Sequence, residues 1–174
     1  CYSYDAGGNI TAKKEYTYTT GTLGTAQKTV PYGYGNSQWK DQMTSYNGQT
    51  ISYDALGNPR IYRDGMTMQW ERGRNLSSLG NDANGRTYIF TYNSDGMRVR
   101  KEVVYGHDVE KTVKYYWNGN QIAAIQDGTN LLHFTHDQDG NLFSVILGDK
   151  TYYYLHNIQK DVIGLIDSTG NQVV

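Results

Sequence analysis

The chain has little of what most often cross-links a protein or directs it to charged or lipid partners. Its 174 residues include one cysteine and two prolines, and 16 basic residues stand against 17 acidic ones. A single cysteine excludes an internal disulfide, and a net charge of −1 argues against a nucleic-acid partner. No apolar run approaches the roughly 18 residues of a membrane span. The start at Cys1 has neither the features of a signal peptide nor a Met, so we expect a fragment of something longer.

Aromatic side chains are abundant, although the mean hydropathy is only −0.70. A low hydropathy is typical of disordered chains, which bury too little apolar surface to offset chain entropy. Disordered chains are also poor in aromatic residues, whereas this one has 17 Tyr, three Trp and three Phe. Tyr, Trp and Phe favour strands, as do Val, Ile and Thr. The composition therefore predicts an ordered, polar, Tyr-rich β protein.

One short phrase recurs along the chain. It consists of an aromatic residue, a turn built on Asp or Asn with Gly, and then a β-branched run. The clearest copies are residues 4–10 and 53–59, and looser copies are residues 92–97, 117–120, 136–141 and 167–171. Repetition at intervals of roughly 20–50 residues indicates one supersecondary unit used many times.

The segments between these turns alternate in the manner of strands. Residues 14–19, 49–53 and 87–92 place polar and apolar side chains in turn, and Asp-Gly or Asn-Gly pairs between such segments suit primed hairpin turns. We predict about a dozen antiparallel strands in hairpins, forming an all-β curved or spiralling sheet. Residues 1–174 are expected to make a single unit, with the weakest patterning in residues 1–36. The one helix candidate is residues 37–43.

Laid side by side, the hairpins are predicted to align aromatic side chains in rows. An isolated hairpin is marginal in water, and cross-strand aromatic pairs add roughly 0.2–1 kcal/mol each. The predicted stacking positions are Tyr4, Tyr53, Tyr92, Tyr116 and Tyr154. The predicted turn formers are Gly8, Gly57, Gly96, Gly119 and Gly140.

The phrase resembles a known repeat. Residues 53–58, with residues 4–9, look like the YD repeat of the RHS (rearrangement hotspot) family. Flanking stretches resemble cell-surface RHS proteins of Gram-positive bacteria, and the final one is similar to the entry into the RHS-associated core. Those stretches are residues 39–48, 62–70, 152–157 and 161–171. The resemblance covers nearly the whole chain and is weak before Tyr32.

The resemblance implies β-hairpins that spiral into a hollow shell. In the family that shell encloses a toxic C-terminal domain, and carbohydrate binding has been attributed to YD repeats. The implied location is secreted or at the bacterial cell surface, and the implied partner is the remainder of the parent chain. The family's core cleaves itself near an Asp-Pro sequence. This chain has no Asp-Pro and stops at Val174, so self-cleavage is assigned to no residue here.

Local motifs for metal binding or catalysis are weak. Residues 137–141 place oxygen ligands at alternate positions, but Leu142 and Gly148 stand where a calcium-binding EF-hand loop needs Gly and Glu. Turn chemistry explains the same residues. Among His107, His133, His136 and His156, only the middle two are close, and their spacing on a strand points them to opposite faces. No nucleophile elbow or phosphate-binding loop occurs. We predict no metal, no cofactor and no enzymatic activity.

Two functions compete. The leading hypothesis is a structural scaffold, a shell segment that encloses or presents another domain of a large secreted or surface protein such as a polymorphic toxin. The alternative is a carbohydrate- or receptor-binding adhesin module that uses Trp39, Trp70 and Trp117 as flat contact faces, although these rings can equally pack between strands. Open sheet edges also predict an edge-to-edge dimer.

Overall fold

The computed structural model describes residues 1–174 as seventeen β-strands without a helix. Neighbouring strands pair antiparallel throughout the registers observed, so the predicted all-β antiparallel fold is confirmed. No helix is present that is long and apolar enough to cross a membrane. The chain divides into two compact units, Cys1–Thr87 and Tyr88–Val174, which are described separately. The prediction of a single repeat unit over residues 1–174 stays a prediction.

The first unit contains two groups of strands, each paired in chain order. The first group, a five-stranded sheet, comprises β1 (Tyr2–Tyr4), β2 (Ile10–Glu15), β3 (Lys28–Gly33), β4 (Ser45–Tyr46) and β5 (Gln49–Thr50). The second group comprises β6 (Ser52–Tyr53), β7 (Pro59–Tyr62), β8 (Met66–Glu71) and β9 (Asn75–Asn81).

The second unit is a continuous meander. It contains most of β10 (Arg86–Tyr92), then β11 (Arg98–Tyr105), β12 (Asp108–Asn118), β13 (Gln121–Asp127), β14 (Asn130–His136), β15 (Leu142–Leu147), β16 (Lys150–His156) and β17 (Val162–Asp167). Each strand lies beside the next one in sequence. The chain end continues the pattern, because Val173 donates its N–H to the Leu165 carbonyl and Leu165 donates to the Val174 carbonyl.

The helix predicted for residues 37–43 is wrong. The segment forms bends and turns between β3 and β4. The side-chain oxygen of Asn36 accepts the backbone N–H groups of Gln38 at 3.0 Å and Trp39 at 3.2 Å. This is the geometry of a helix N-cap, but the segment continues only as one turn, in which Gln42 donates its N–H to the Trp39 carbonyl at 3.1 Å.

Two predicted strands are shorter than their patterns. Alternation over residues 14–19 continues past the end of β2 at Glu15. Residues 49–53 are split at Ile51, whose N–H donates to the Thr44 carbonyl at 2.9 Å. Ile51 is one of the few buried apolar side chains. Its bond to Thr44 continues the register in which Ser45 opposes Thr50, and the residues after Ile51 pair with Pro59–Tyr62 instead, so the break lies where the strand changes its partner.

The sheets form a thin wall without a thick core. The buried apolar side chains are Val30, Ile51, Val103, Val113, Ala124 and Val145, and no large side chain is fully buried. Apolar surface is covered instead by rows of side chains running across neighbouring strands. One such row in the second unit comprises Tyr115, Ile125, Leu132 and Leu147, which oppose one another in register. We call the side of the sheet that carries this row the apolar face.

The opposite side of the second unit is more mixed. Ala124, His133, Ile146 and Thr151 oppose one another there in the same way. Since successive side chains of a strand alternate between faces, the register places Tyr115 on the apolar face and Tyr116 on the mixed one.

Candidate functional site

A five-residue loop with one hydrogen-bond pattern recurs six times. The side-chain oxygen of its first residue accepts the backbone N–H groups of the third and fifth residues. The first residue also donates its N–H to the fifth carbonyl, and the fourth donates to the first carbonyl. We call this element the capped loop; its copies are residues 5–9, 54–58, 93–97, 137–141, 157–161 and 167–171.

The fourth residue of each capped loop has a left-handed backbone. Its φ angle lies between 69° and 89° in the six copies. Glycine adopts this conformation without strain. Five copies have Gly here, including four of the predicted turn formers: Gly8, Gly57, Gly96, Gly140 and also Gly170. The sixth has Lys160, which is why the sequence pattern missed residues 157–161 as a copy.

Gly119 occupies a different turn. Asn118 pairs with Gln121, so Gly119 is the first of two loop residues and has a φ of 58°. Positive φ at the first central position is the pattern of a type II′ hairpin turn, which matches the right-handed twist of strands. Gly106, Gly128 and Gly148 take the same place in their hairpins. The second unit therefore combines two turn types.

Replacing Lys160 by Gly is expected to stabilise the chain. A side chain in the left-handed region costs roughly 1–2 kcal/mol, of which the greater freedom of Gly in the unfolded chain cancels part. We expect the free energy of unfolding in urea to rise by about 0.5–1 kcal/mol. The matched control is Lys160→Ala, which keeps the strain and is expected to leave stability almost unchanged. Equal values for the Gly and Ala variants would contradict the strain assigned to Lys160.

In four of the six capped loops the first and fifth side chains are hydrogen-bonded to each other. Asn9, Asn58 and Asn141 donate an amide hydrogen to the carboxylates of the Asp residues that begin their loops, at 3.1, 2.9 and 2.8 Å. In residues 157–161 the order is reversed, and Asn157 donates to Asp161 at 3.0 Å. The donor and acceptor are exchanged while the bond is kept.

These bonds shift the acidity of the loop carboxyls. Side-chain hydrogen bonds from Asn9, Asn58 and Asn141, with backbone N–H bonds, lower the pKa values of Asp5, Asp54 and Asp137 below their ordinary value of 3.8. The pKa of Asp167 is lowered first by the Thr169 hydroxyl and then by the Asn171 N–H. A carboxylate stabilised by donors holds its proton less readily.

We expect this acidity to appear as acid sensitivity. Because the folded pKa values lie below 3.8, the stabilisation is complete above the unfolded pKa. It is lost as pH falls through the folded values. The Tm should therefore drop progressively below about pH 4. Asp167→Asn, which mimics the Asn that begins residues 93–97, should lose less Tm between about pH 5 and pH 2 than the unmodified chain. Identical pH profiles would contradict this assignment.

A second element follows the capped loops. The strand register shifts by one residue at a β-bulge beside residues 5–9, 54–58, 137–141 and 157–161. The first residue after three of the loops offers its carbonyl to an aromatic donor. Tyr34 donates its hydroxyl to Ile10, while Trp70 and Trp117 donate their indole N–H to Pro59 and Arg98, at 3.1, 2.7 and 2.8 Å. The Ile10 and Pro59 carbonyls lie beside such a bulge, where the ladder is locally disrupted, so the Tyr34 and Trp70 donors supply hydrogen bonds there.

Trp39 differs from the other two tryptophans. Its side chain is 50% exposed, whereas Trp70 and Trp117 are half-buried. A Cβ built at Gly57 would lie 2.8 Å from the Trp39 ring, so this indole covers the backbone of a capped loop. Beside it is an open groove of about 510 Å³ that Asn36 and Gln42 help to line. Of the three predicted binding tryptophans, Trp39 is the most exposed, and it borders this open groove.

Three predicted stacking tyrosines contact groups other than one another. Tyr53 donates its hydroxyl to the Met43 carbonyl at 2.7 Å, and burial raises its pKa above the ordinary value. Tyr92 lies 6.0 Å from the Arg98 guanidinium. Burial also raises the pKa of Tyr154, whose ring lies 6.3 Å from that of His156.

The remaining two are more exposed. Tyr4 is 60% exposed and Tyr116 is 45% exposed. The Tyr116 hydroxyl donates a hydrogen bond to the Gln126 side chain on the mixed face. Edge-on Tyr and Phe pairs occur elsewhere, between Tyr32 and Tyr46 at 5.2 Å and between Phe143 and Tyr153 at 5.6 Å. The role of the predicted five as a ladder stays a prediction.

The segment weighed as a calcium loop is a capped loop. The Asp137 carboxylate accepts the backbone N–H groups of Asp139 and Asn141 at 3.0 and 2.8 Å. His133 lies on the mixed face of the sheet, and His136 opposes Leu142. The structure contains no group of three or more His, Cys, Asp or Glu side chains arranged to hold a metal ion.

Comparisons with known proteins give sequence relatives and fold neighbours. No protein-family model matches the chain. It is 30% identical over 177 residues to the tRNA nuclease WapA of Bacillus subtilis strain 168. It is 31% identical over 174 residues to the tRNA3(Ser)-specific nuclease WapA of Bacillus spizizenii. These alignments cover 99% and 97% of the chain but only 7% of each relative.

The fold recurs in solved toxin structures. The crystal structure of TcdB2-TccC3-Cdc42 matches 99% of the chain with a TM-score of 0.67, and the chain covers 9% of that structure. The Photorhabdus luminescens Tc holotoxin pore matches the same share of the chain with a TM-score of 0.58, and the chain again covers 9% of it. Both are 16% identical in sequence, so the likeness concerns the fold.

The prediction of no enzymatic activity is wrong in the light of these relatives. They are named tRNA nucleases, which connects the chain to proteins that act on nucleic acid. The prediction depended on the absence of local motifs. Such motifs reveal only active sites whose residues are close in sequence, and 174 residues represent a small part of the relatives' length.

Proposed function

We propose that the chain is a wall segment of a YD-repeat shell in an RHS-family toxin related to the WapA nucleases. The observation that carries the proposal is the capped loop, repeated six times on a one-layer antiparallel meander. The sequence relatives support the toxin context, and the solved neighbours support the fold. The repeated YD phrase supplies the link to the family.

The physical character of the sheets suits a wall. Large apolar side chains remain exposed on both units, among them Tyr4, Ile61, Phe143 and Ile163 at 51–60%. A sheet needs packing against another layer or closure on itself to cover such surface. We infer that the remainder of the parent chain provides this cover, and that the parent is secreted or attached to the cell surface. The enclosed domain is proposed to carry the nuclease activity for which the relatives are named.

Protease protection in the parent protein tests the proposal. Gly57→Val, which strains a capped loop, should expose the enclosed domain to protease, whereas Lys160→Ala should leave it protected. Release of that domain should be followed with a tRNA cleavage assay, applied also to residues 1–174 alone. Unchanged protection in the Gly57 variant, or tRNA cleavage by residues 1–174 themselves, would overturn the scaffold proposal.

A carbohydrate- or receptor-binding module is the second candidate. It is favoured by the half-exposed Trp39 ring beside the amides of Asn36 and Gln42. Aromatic faces flanked by amides suit sugar rings. Glycan-array binding that is lost in Trp39→Ala and kept in Trp117→Phe would support this function. Binding that is insensitive to Trp39 would count against it.

Pairing between two copies stays a prediction. β1 is an edge strand of its five-stranded sheet. Unpaired edge groups can accept another strand. Light scattering should show a mass that rises with concentration, and a constant monomer mass would exclude edge-to-edge pairing.

A further inference from the structure

An open apolar cleft of about 500 Å³ lies in the second unit beside residues 93–97. Its lining includes aromatic and aliphatic side chains and one arginine. We call it the Gly96 cleft and define it by Gly96, Arg98, Tyr115, Trp117, Ile122 and Ile125. The proposed scaffold role assigns no particular segment to it.

In one other capped loop, residues 54–58, an indole covers the equivalent glycine. Gly57 and Gly96 are both fourth residues of capped loops, with φ angles of 81° and 78°. Each loop is followed by a carbonyl that accepts a tryptophan indole. The Trp39 ring covers Gly57, whereas a Cβ built at Gly96 meets no atom within 4 Å. Gly8 and Gly170 are open in the same way, but of the two loops followed by an indole-accepting carbonyl, only that at residues 93–97 lacks a covering ring.

Arg98 is the charged residue of the cleft lining. Its guanidinium lies 4.5 Å from the Phe90 ring centre and 6.0 Å from that of Tyr92. Its Nε is buried and has no hydrogen-bond partner. A buried donor without an acceptor is costly, most of all when it is charged. An acceptor carried by an occupant would remove that cost.

We propose that the Gly96 cleft binds a segment of a partner polypeptide that carries a tryptophan and a nearby carboxylate. The indole packs against Gly96 as Trp39 packs against Gly57, and the carboxylate accepts a hydrogen bond from Arg98. The positive charge of Arg98 favours an acidic segment over a basic one. This binding site is independent of whether the chain forms a shell.

A short peptide from the chain itself is a suitable probe. A synthetic peptide with the sequence of residues 35–44 contains Trp39 and Asp41. Added to the ¹⁵N-labelled 174-residue chain, it should shift the Gly96 amide and Trp117 indole signals and saturate at about 0.1–1 mM. Replacing its Trp by Ala should weaken binding at least about tenfold, and replacing its Asp by Asn should weaken it about threefold or more.

Matched variants of the protein locate the site. Tyr115→Ala removes a wall of the cleft, whereas Tyr116→Ala removes the neighbouring ring on the mixed face. The first should lose at least about tenfold in affinity, and the second less than about twofold. Arg98→Met, which keeps an unbranched apolar stem and removes the guanidinium, should abolish the difference between the Asp and Asn peptides. These comparisons remain informative if Tyr115→Ala fails to fold, because the peptide and Arg98 variants leave that wall intact.

Three results would overturn the proposal. One is the absence of saturable shifts up to about 10 mM peptide. Another is binding that maps to the groove beside Trp39 or does not depend on the peptide's Trp. The third is a response of Gly96 and Trp117 to methyl glucoside but not to the peptide, which would assign the cleft to a sugar.

Discussion

Gly57→Val should lower the free energy of unfolding by about 4 kcal/mol, the largest loss expected from any single turn substitution in the chain. Gly57 has a φ of 81°, where a β-branched side chain is strained by about 1–3 kcal/mol. Its new Cβ would also lie 2.8 Å from the Trp39 ring, which must then move. Forcing extra atoms into a filled position costs typically 1–3 kcal/mol more. Urea denaturation followed by circular dichroism measures the sum.

Gly96→Val separates the two causes. Gly96 has nearly the same φ, 78°, but a Cβ there would meet no atom within 4 Å. Its loss should therefore be limited to about 1–3 kcal/mol of backbone strain. In a Trp39→Ala background the Gly57→Val loss should approach that of Gly96→Val, since the ring it displaces is gone. Equal losses at the two glycines in the unmodified chain would show that Trp39 yields freely and would weaken the packing argument.

The turns could be predicted from sequence because they are local. Every capped loop is closed by side-chain and backbone bonds within five residues, so its Asp, Asn and Gly leave a readable pattern. The copy at residues 157–161 was not recognised in the sequence because Lys160 occupies the glycine position. The same hydrogen bonds form there without glycine. The helix predicted at residues 37–43 does not form even though Asn36 caps its first N–H groups, because the segment closes only one turn, between Trp39 and Gln42.

The candidate sites were harder to predict because they depend on distant partners. The indole of Trp117 donates to a carbonyl 19 residues away, and the hydroxyl of Tyr34 donates to one 24 residues away. In sequence, Trp39 resembles Trp70 and Trp117, but it lies in the loop between β3 and β4, whereas the other two lie on strands and donate to backbone carbonyls. The residues that define the Gly96 cleft lie on one loop and three strands, which only the fold brings together. The enzymatic prediction was wrong because local motifs say little about a much longer parent.

Trp70→Ala is expected to lower the free energy of unfolding by about 3 kcal/mol, through lost packing and a lost hydrogen bond. Trp70→Phe isolates the second cause, because it keeps most of the ring and removes the N–H that Pro59 accepts at 2.7 Å. That variant should lose about 1–2 kcal/mol, as expected when a part-buried carbonyl is left without its partner. Urea denaturation provides both values.

Trp39→Phe and Tyr34→Phe are the variants with which Trp70→Phe should be compared. Trp39 is half-exposed and covers a loop, so its change to Phe should cost less than about 0.5 kcal/mol. Tyr34 donates to the Ile10 carbonyl in the position that Trp70 takes at Pro59, so Tyr34→Phe should resemble Trp70→Phe at about 1 kcal/mol. If the three phenylalanine variants lost equal amounts, the aromatic donors would be ordinary packing side chains. A loss confined to Tyr34 and Trp70 would instead show that these donors satisfy the backbone beside each bulge, which lets one turn design repeat along the chain.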